Sequence, residues 1–307
     1  MDPQLDGKTL RLDATLIGSY TNDVLTLDCA QHAHMCGNVA APTHRRVQQY
    51  GSVRVQLGAS IGLGKGFALS FDIPLDLKAF SIRHELPDGT AYEPPYALLV
   101  GDDVLFGPGD ARFMGRVAGG IEGTPVVLSA AVGVMLPTGL TSTNPFTEAV
   151  ATQRQFRQFG NGTFDPTAEL SFVLGTKPFG FLVSGSTRVP LYTNPKGYRG
   201  QFLLAGNAGL VVSTPAPIDK VTLLALVEAT HAGAAHWDGE KADNSGRSSL
   251  GLRLGVEWNV TPRLLLRGWL ASNPVQTWQG EQFSLPWSAG VGVSGLIALK
   301  KKRKSSH

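Results

Sequence analysis

The nine residues LGLRLGVEW, Leu250 to Trp258, constrain this chain more than any other stretch. Leu250, Leu252, Leu254, Val256 and Trp258 share one parity, and Gly251, Arg253, Gly255 and Glu257 share the other. Successive side chains of a β-strand point to opposite faces, so a period of two writes one apolar and one polar face. Two architectures accept such a strand. In a soluble sandwich the apolar face packs on a second sheet. In a membrane barrel it meets lipid, and the polar face lines the interior.

The pattern recurs along the chain. In SVRVQLGASIGL, Val53, Val55, Leu57, Ala59, Ile61 and Leu63 alternate with Ser52, Arg54, Gln56, Gly58, Ser60 and Gly62. After the turn Gly64-Lys65-Gly66, Phe67, Leu69, Phe71, Ile73, Leu75 and Leu77 alternate with Ala68, Ser70, Asp72, Pro74, Asp76 and Lys78. Two alternating runs around a short glycine turn predict a hairpin. Proline has no N–H for the ladder, so Pro74 is expected at a bulge. Further alternating runs occupy 111–121, 126–139, 164–174, 179–192, 202–212, 221–231, 263–271 and 285–299, and RLDATLIGSY lies near the start. The total is twelve strands, an even number.

The connections sort into two classes. Short turns fall around Lys65, Gly123, Lys177, Pro217 and Pro262. Longer polar connections cover roughly 21–50, 82–109, 141–163, 192–200 and 237–248, with a short one near 279–283. The classes alternate strictly, as in bacterial outer-membrane barrels with short periplasmic turns and long outer loops. A soluble sandwich has no reason to sort its loops this way. Hydropathy does not oppose a membrane barrel. The mean is 0.00 and no apolar run reaches the roughly 18 residues of a membrane helix, but alternating strands average to zero. Charged residues are 17%, below the roughly 25% of soluble domains.

The expected fold is therefore all-β: a single antiparallel transmembrane β-barrel of about 12 strands over residues 1–299, followed by a basic tail, 300–307. Both termini are expected in the periplasm. The tail KKKRK, Lys300 to Lys304, reads as a solvated terminus. Without it the body is slightly acidic, so no nucleic-acid partner is expected. MDPQLDGKTL contains neither a basic n-region nor an apolar h-region, so an outer-membrane location requires a mature chain restarted at a new Met.

The segment GPGDARFMGRVAGGIEGTPVVLSAAVGVMLPTG, Gly107 to Gly139, adds a resemblance. A G-x-G-D opening, a strand, a turn and a strand ending in L-P-T-G resemble the bacterial barrels of the MetA-pathway-of-phenol-degradation family and related transporter-like outer-membrane proteins. The close motif covers about a tenth of the chain. The resemblance implies a β-barrel in the outer membrane, an association with transport of aromatic compounds, and no catalytic residues. The chain departs from such barrels at its end, where Ala298-Leu299 runs into KKKRKSSH instead of closing on an aromatic residue.

The polar parity lists the candidate lumen lining. Its basic members are Arg11, Arg54, Lys78, Arg112, Arg116, Arg188, Arg253, Arg263 and Arg267. Its acidic members are Asp13, Asp72, Asp76, Asp165, Glu169, Glu228 and Glu257. Such residues either pair across the lumen and brace the wall, or form a selectivity lining in which a slight arginine excess favours anions. Twelve strands enclose a lumen between packed eight-strand barrels and open sixteen-strand porins.

CAQHAHMC, in the first long loop, holds the two cysteines of the chain. In an oxidising envelope Cys29 and Cys36 are expected to form a disulfide. His32 and His34 complete a possible zinc donor set, but the spacing matches no standard finger, so no metal is expected. Catalysis finds little footing. No His is followed two residues later by Ser, the spacing of barrel lipid hydrolases. His236 and Asp238 make one close pair, which reads as polar rim. LGASIGLGKG lacks the Lys-Ser/Thr and helix of a phosphate loop. Tyr20, Phe164, Tyr192, Trp237, Trp278 and Trp287 lie toward the long loops, and Phe67 and Phe179 beside short turns, as two aromatic girdles would.

The expected function is a narrow channel or transporter-like porin for small, hydrophobic or anionic solutes, without cofactor and not an enzyme. Membrane lipid and solute are its expected partners, and the sequence fixes no oligomeric state. The alternative is a structural or adhesion barrel with an occluded lumen and partner-binding loops. A barrel hydrolase ranks third.

Overall fold

The computed structural model describes residues 9–28, 42–93, 101–141, 158–214, 220–242, 245–278 and 284–299. Twelve long strands form one antiparallel sheet that closes on itself. They are β1 (Thr9–Leu27), β2 (His44–Gly64), β3 (Phe67–Glu85), β4 in two pieces (Gly101–Pro108 and Ala111–Gly120), β5 (Val126–Leu136) and β6 (Asp165–Thr176). The second half comprises β7 (Phe179–Arg188), β8 (Leu203–Ser213), β9 (Val221–Ala232), β10 (Arg247–Thr261), β11 (Leu264–Trp278) and β12 (Trp287–Ala298). Each strand pairs with its neighbours in sequence, and β1 pairs with β12 from Thr9↔Ala298 to Tyr20↔Trp287. Closure leaves no row of unpaired N–H and C=O groups, which hydrocarbon could not solvate.

The apolar parity of every long strand points outward. Leu12, Leu57, Phe71, Val132, Leu170, Leu210, Leu254 and Val291 are exposed, Val132 at 69% and Leu254 at 62%. The largest fully buried side chains are Met114, His44, Thr163, Asp165 and Ser245, four of them polar. A water-soluble sandwich would invert this distribution. A continuous apolar outer surface of this extent finds a compatible solvent only in lipid.

The short turns follow the sequence. Gly64, Lys65 and Gly66 take φ of 92°, 53° and 77°, and a Cβ on Gly66 would stand 2.0 Å from the Ala118 carbonyl oxygen. Pro74 does mark a bulge. Asp72 pairs with Arg112 and Leu75 with Pro108, so two residues of β3 face three of β4, and the Gly109 amide donates to the Pro74 carbonyl at 2.9 Å.

The strands are longer than the alternation implied. β2 runs 21 residues, and the stretches expected as loops 21–50 and 82–109 contain the ends of β1 and β3, the start of β2 and the upper piece of β4. The polar run HRRVQQY shows no apolar alternation because the side chains it buries, His44, Arg46 and Gln48, are themselves polar. Backbone pairing holds it from Leu27↔His44 to Tyr20↔Gly51 on one side and from Arg45↔Glu85 to Tyr50↔Phe80 on the other. Side chains add to it: His44 packs against His84 and Tyr92, and Arg45 pairs with Glu85 at 3.7 Å. Above the barrel, three short strands from two long loops, Tyr198–Arg199, His236–Trp237 and Glu240–Lys241, form a small separate sheet.

Candidate functional site

The polar parity meets inside the barrel, and closure decides which charges touch. Toward the short turns, one row runs around the wall through Ser294, Asp13, Gly58, Asp72 and Arg112, each facing the next across a strand pair. Asp13 accepts from Arg11 at 2.9 Å, from Arg267 at 3.3 Å and from the Ser294 hydroxyl. Arg112 donates to Asp72 at 2.9 Å and to Glu169 at 2.6 Å, and Arg116 donates to the other Glu169 oxygen at 2.9 Å. Arg267 and Asp13 lie on β11 and β1, and Arg116 and Glu169 on β4 and β6. Each pair reaches over a small residue of the strand between, Gly292 and Ala131. Arg11, Asp13, Asp72, Arg112, Arg116 and Arg267 border a cavity of about 300 Å³ whose floor is Gln56, Gly58, Ser60, Ala68 and Ser70.

Farther up, Arg54 clasps Asp76 with two bonds of 2.6 and 3.0 Å. Arg253 binds Glu228 at 2.9 Å and stacks on Trp269, 4.3 Å from its ring centre. Trp269 lies against Gly290, where any Cβ would come within 2.5 Å of the indole. Glu257 is half-buried and directly opposite Arg267 in the β10–β11 register. Arg263 is the departure from the expected lining: it is exposed in the turn between β10 and β11, because the wall strand begins one residue later.

At the level of the β4 bulge the lumen is narrowed by a returning loop. Gln158 and Phe159 lie on the inner face, where Lys78 donates to the Gln158 carbonyl at 2.8 Å and sits 4.6 Å over the Phe159 ring. Asp110, freed from the ladder by the bulge, accepts from the amides of Gly139 (3.0 Å) and Asn161 (2.7 Å). Asp165 accepts from Asn161 Nδ2 and Thr163 Oγ1, both at 2.5 Å, and lies 4.0 Å from Arg188. This knot ties three segments together. Asp110, Thr163 and Asn161 had no role in the sequence reading, although GPGD was the opening of the family likeness. The local signal for Asn161 and Thr163 is GNGTFD, whose clustered turn residues precede a strand.

Trp237 does not join a girdle. It is buried against Tyr198, ring centres 4.6 Å apart, with Ala235 and Ala242 in the small loop sheet. Tyr20, Phe164, Tyr192 and Trp287 are exposed near the long loops, and Phe67 and Phe179 near the short turns. The Trp278 side chain, Cys29, His32, His34, Cys36 and the tail from Lys300 lie outside the described residues. Asp238 and Gly239, with φ of 51° and 88°, are the two turn residues between His236–Trp237 and Glu240–Lys241, which is the structural use of an Asp-Gly pair. Register brings His231 Nδ1 and Ser248 Oγ to 2.8 Å on the outward face, a pairing that linear spacing hides. Among the described residues no carboxylate accepts from the other ring nitrogen, so the pair lacks the group that would set its tautomer. Among the described residues, no three His, Cys, Asp or Glu side chains converge as metal ligands.

Burial pushes the Tyr198 hydroxyl up to about 12, with Arg188 pulling the other way. The raised value favours the neutral phenol in the folded loop sheet. Its contribution is complete below the ordinary tyrosine value of about 10 and is lost as pH climbs from there to about 12. Phenolate absorbance in a pH titration should include a late step that belongs to Tyr198. Tyr198→Phe should remove that step and leave the others in place.

No protein-family model matches this chain, and no curated protein sequence does. Solved structures do. The COG4313 outer membrane channel from Pseudomonas putida F1 is 13% identical, with a TM-score of 0.61 over 97% of this chain and 100% of that one. The NanC porin (10% identical, TM-score 0.47, 92% of this chain and 98% of that one) is more distant. So is the transport unit of the autotransporter AIDA-I from Escherichia coli (11%, 0.47, 96% and 92%). At 13% identity the first likeness concerns the fold: this chain folds as a closed twelve-stranded antiparallel β-barrel.

Proposed function

We propose that the protein sits in a bacterial outer membrane as a narrow channel for small solutes. The observation that carries this reading is a lipid-facing wall enclosing a charged interior that keeps a cavity of about 300 Å³ among its ion pairs. The expected orientation puts the short turns and both ends of the chain in the periplasm. The likeness of Gly107 to Gly139 to the MetA-pathway family supports small-molecule transport and adds no substrate. We read the interior as a solute path and not as a catalytic centre; among the described residues no acid orients the ring of the outward-facing His231–Ser248 pair.

A second reading, a structural barrel with an occluded lumen, draws on the ion pairs and on the Gln158–Phe159 segment against Lys78. Single-channel recording of the refolded protein in a planar bilayer separates the two. Discrete steps with mild anion preference are expected, and Arg112→Gln with Arg116→Gln should lower that preference. Insertion with a flat trace would establish the closed barrel instead.

A further inference from the structure

We propose that the cavity toward the short turns is a binding site for one small oxyanion, a carboxylate or a phosphate group. This rests on the channel reading only for its biological use. The chemistry stands on the site itself.

Four guanidinium groups line the cavity, Arg11 and Arg267 on one side and Arg112 and Arg116 on the other, against the carboxylates of Asp13 and Asp72. Glu169, across β5, takes bonds from Arg112 and Arg116, and Glu257 stands opposite Arg267, so the four guanidinium groups face four carboxylates and the site offers oriented donors rather than net charge. The carboxylates do not cancel the site. They hold each arginine from one edge and fix its plane, as a supporting residue fixes a binding group. A guanidinium carries five N–H donors. Arg267 spends one terminal nitrogen on both Asp13 and Ser294.

The gap between the two arginine pairs is built from small residues. Gly58 stands between Asp13 and Asp72 in the register, and a Cβ there would come 2.6 Å from an Asp72 oxygen and 3.5 Å from Asp13. Ser60, Ala68 and Ser70 continue the floor. A larger residue at any of these places would fill the space that the arginines surround. The cavity of about 300 Å³ is at the lower end for ligand sites, which suits a small solute. Carboxylate and phosphate both accept two parallel bonds from a guanidinium fork, so the site selects a pair of anionic oxygens before the group that carries them.

Calorimetry on the folded protein in detergent micelles, at constant ionic strength, tests the site without requiring ion flow. The probes are benzoate, inorganic phosphate and benzamide, the last a neutral match to benzoate in shape. Benzoate or phosphate should bind, and benzamide should bind at least about tenfold more weakly than benzoate. Benzoate alone assigns organic carboxylates, phosphate alone assigns phosphates, and both together a general oxyanion site. Arg116→Gln with Arg267→Gln should weaken the bound anion by at least about tenfold. These two are chosen because Glu169 keeps Arg112 and Asp13 keeps Arg11, so neither carboxylate is orphaned. Should that variant fail to fold, the comparison of benzoate with benzamide on the unaltered protein still decides. Binding of neither anion, or equal binding of benzoate and benzamide, overturns the proposal. Conductance without anion binding would sink this site and leave the channel. Anion binding without conductance would do the reverse.

Discussion

Asp165→Ala is expected to cost about 3–5 kcal/mol of unfolding free energy, the range for removing one partner of a buried charged network. Asp165 is 0% exposed and is the point where Asn161, Thr163 and Arg188 meet. Its loss leaves two buried donors and a guanidinium without their acceptor, in a place water does not reach. The damage should spread. Asn161 also anchors to Asp110 through its amide and accepts from Asn194 Nδ2 at 2.8 Å through its carbonyl. Release of this knot should free the Gln158–Phe159 segment from Lys78 and raise single-channel conductance as stability falls. Urea unfolding into lipid vesicles, followed by tryptophan emission, measures the first effect. A loss under about 1 kcal/mol would show that the knot is ornament on a self-sufficient wall.

Leu254→Arg should cost about 2–4 kcal/mol in vesicles, the range for an arginine on the lipid face near the bilayer midplane. Leu254 lies at the middle of β10, is 62% exposed, and faces Ala225 and Leu270 on the neighbouring strands. In water an exposed leucine exchanged for arginine changes stability by about 0.5 kcal/mol or less. The contrast isolates the solvent. Arg253, one residue away, already carries the same charge on the inner face, where Glu228 and Trp269 accommodate it. A small cost in vesicles would mean that this face never met lipid.

Much of the barrel was legible in the chain because its signal is local. The period of two, the short glycine turns at Lys65 and Gly123 and the bulge at Pro74 each depend on a few consecutive residues. The extended ends of β1 to β3 were not legible, since the side chains buried there, such as His44, Arg46, Gln48 and His84, are polar and leave no apolar alternation. Trp237 read as a girdle residue because parity cannot tell an outward aromatic from one buried under a loop sheet. Arg263 matched the inner parity and fell in the turn, because the boundary of a strand is set by its partner's register.

The sequence by itself determined a strand-built wall with one apolar and one charged face, because alternation is a property of neighbouring residues. Only the tertiary structure decided which charges became partners. Arg112 and Glu169 are 57 residues apart, and Arg267 and Asp13 are 254 apart. Their meeting depends on the register of every strand pair between them and on closure of β1 against β12. A shift of one residue in any of those pairings would turn one partner from the lumen to the lipid, so the cavity belongs to the closed barrel and to no segment of it.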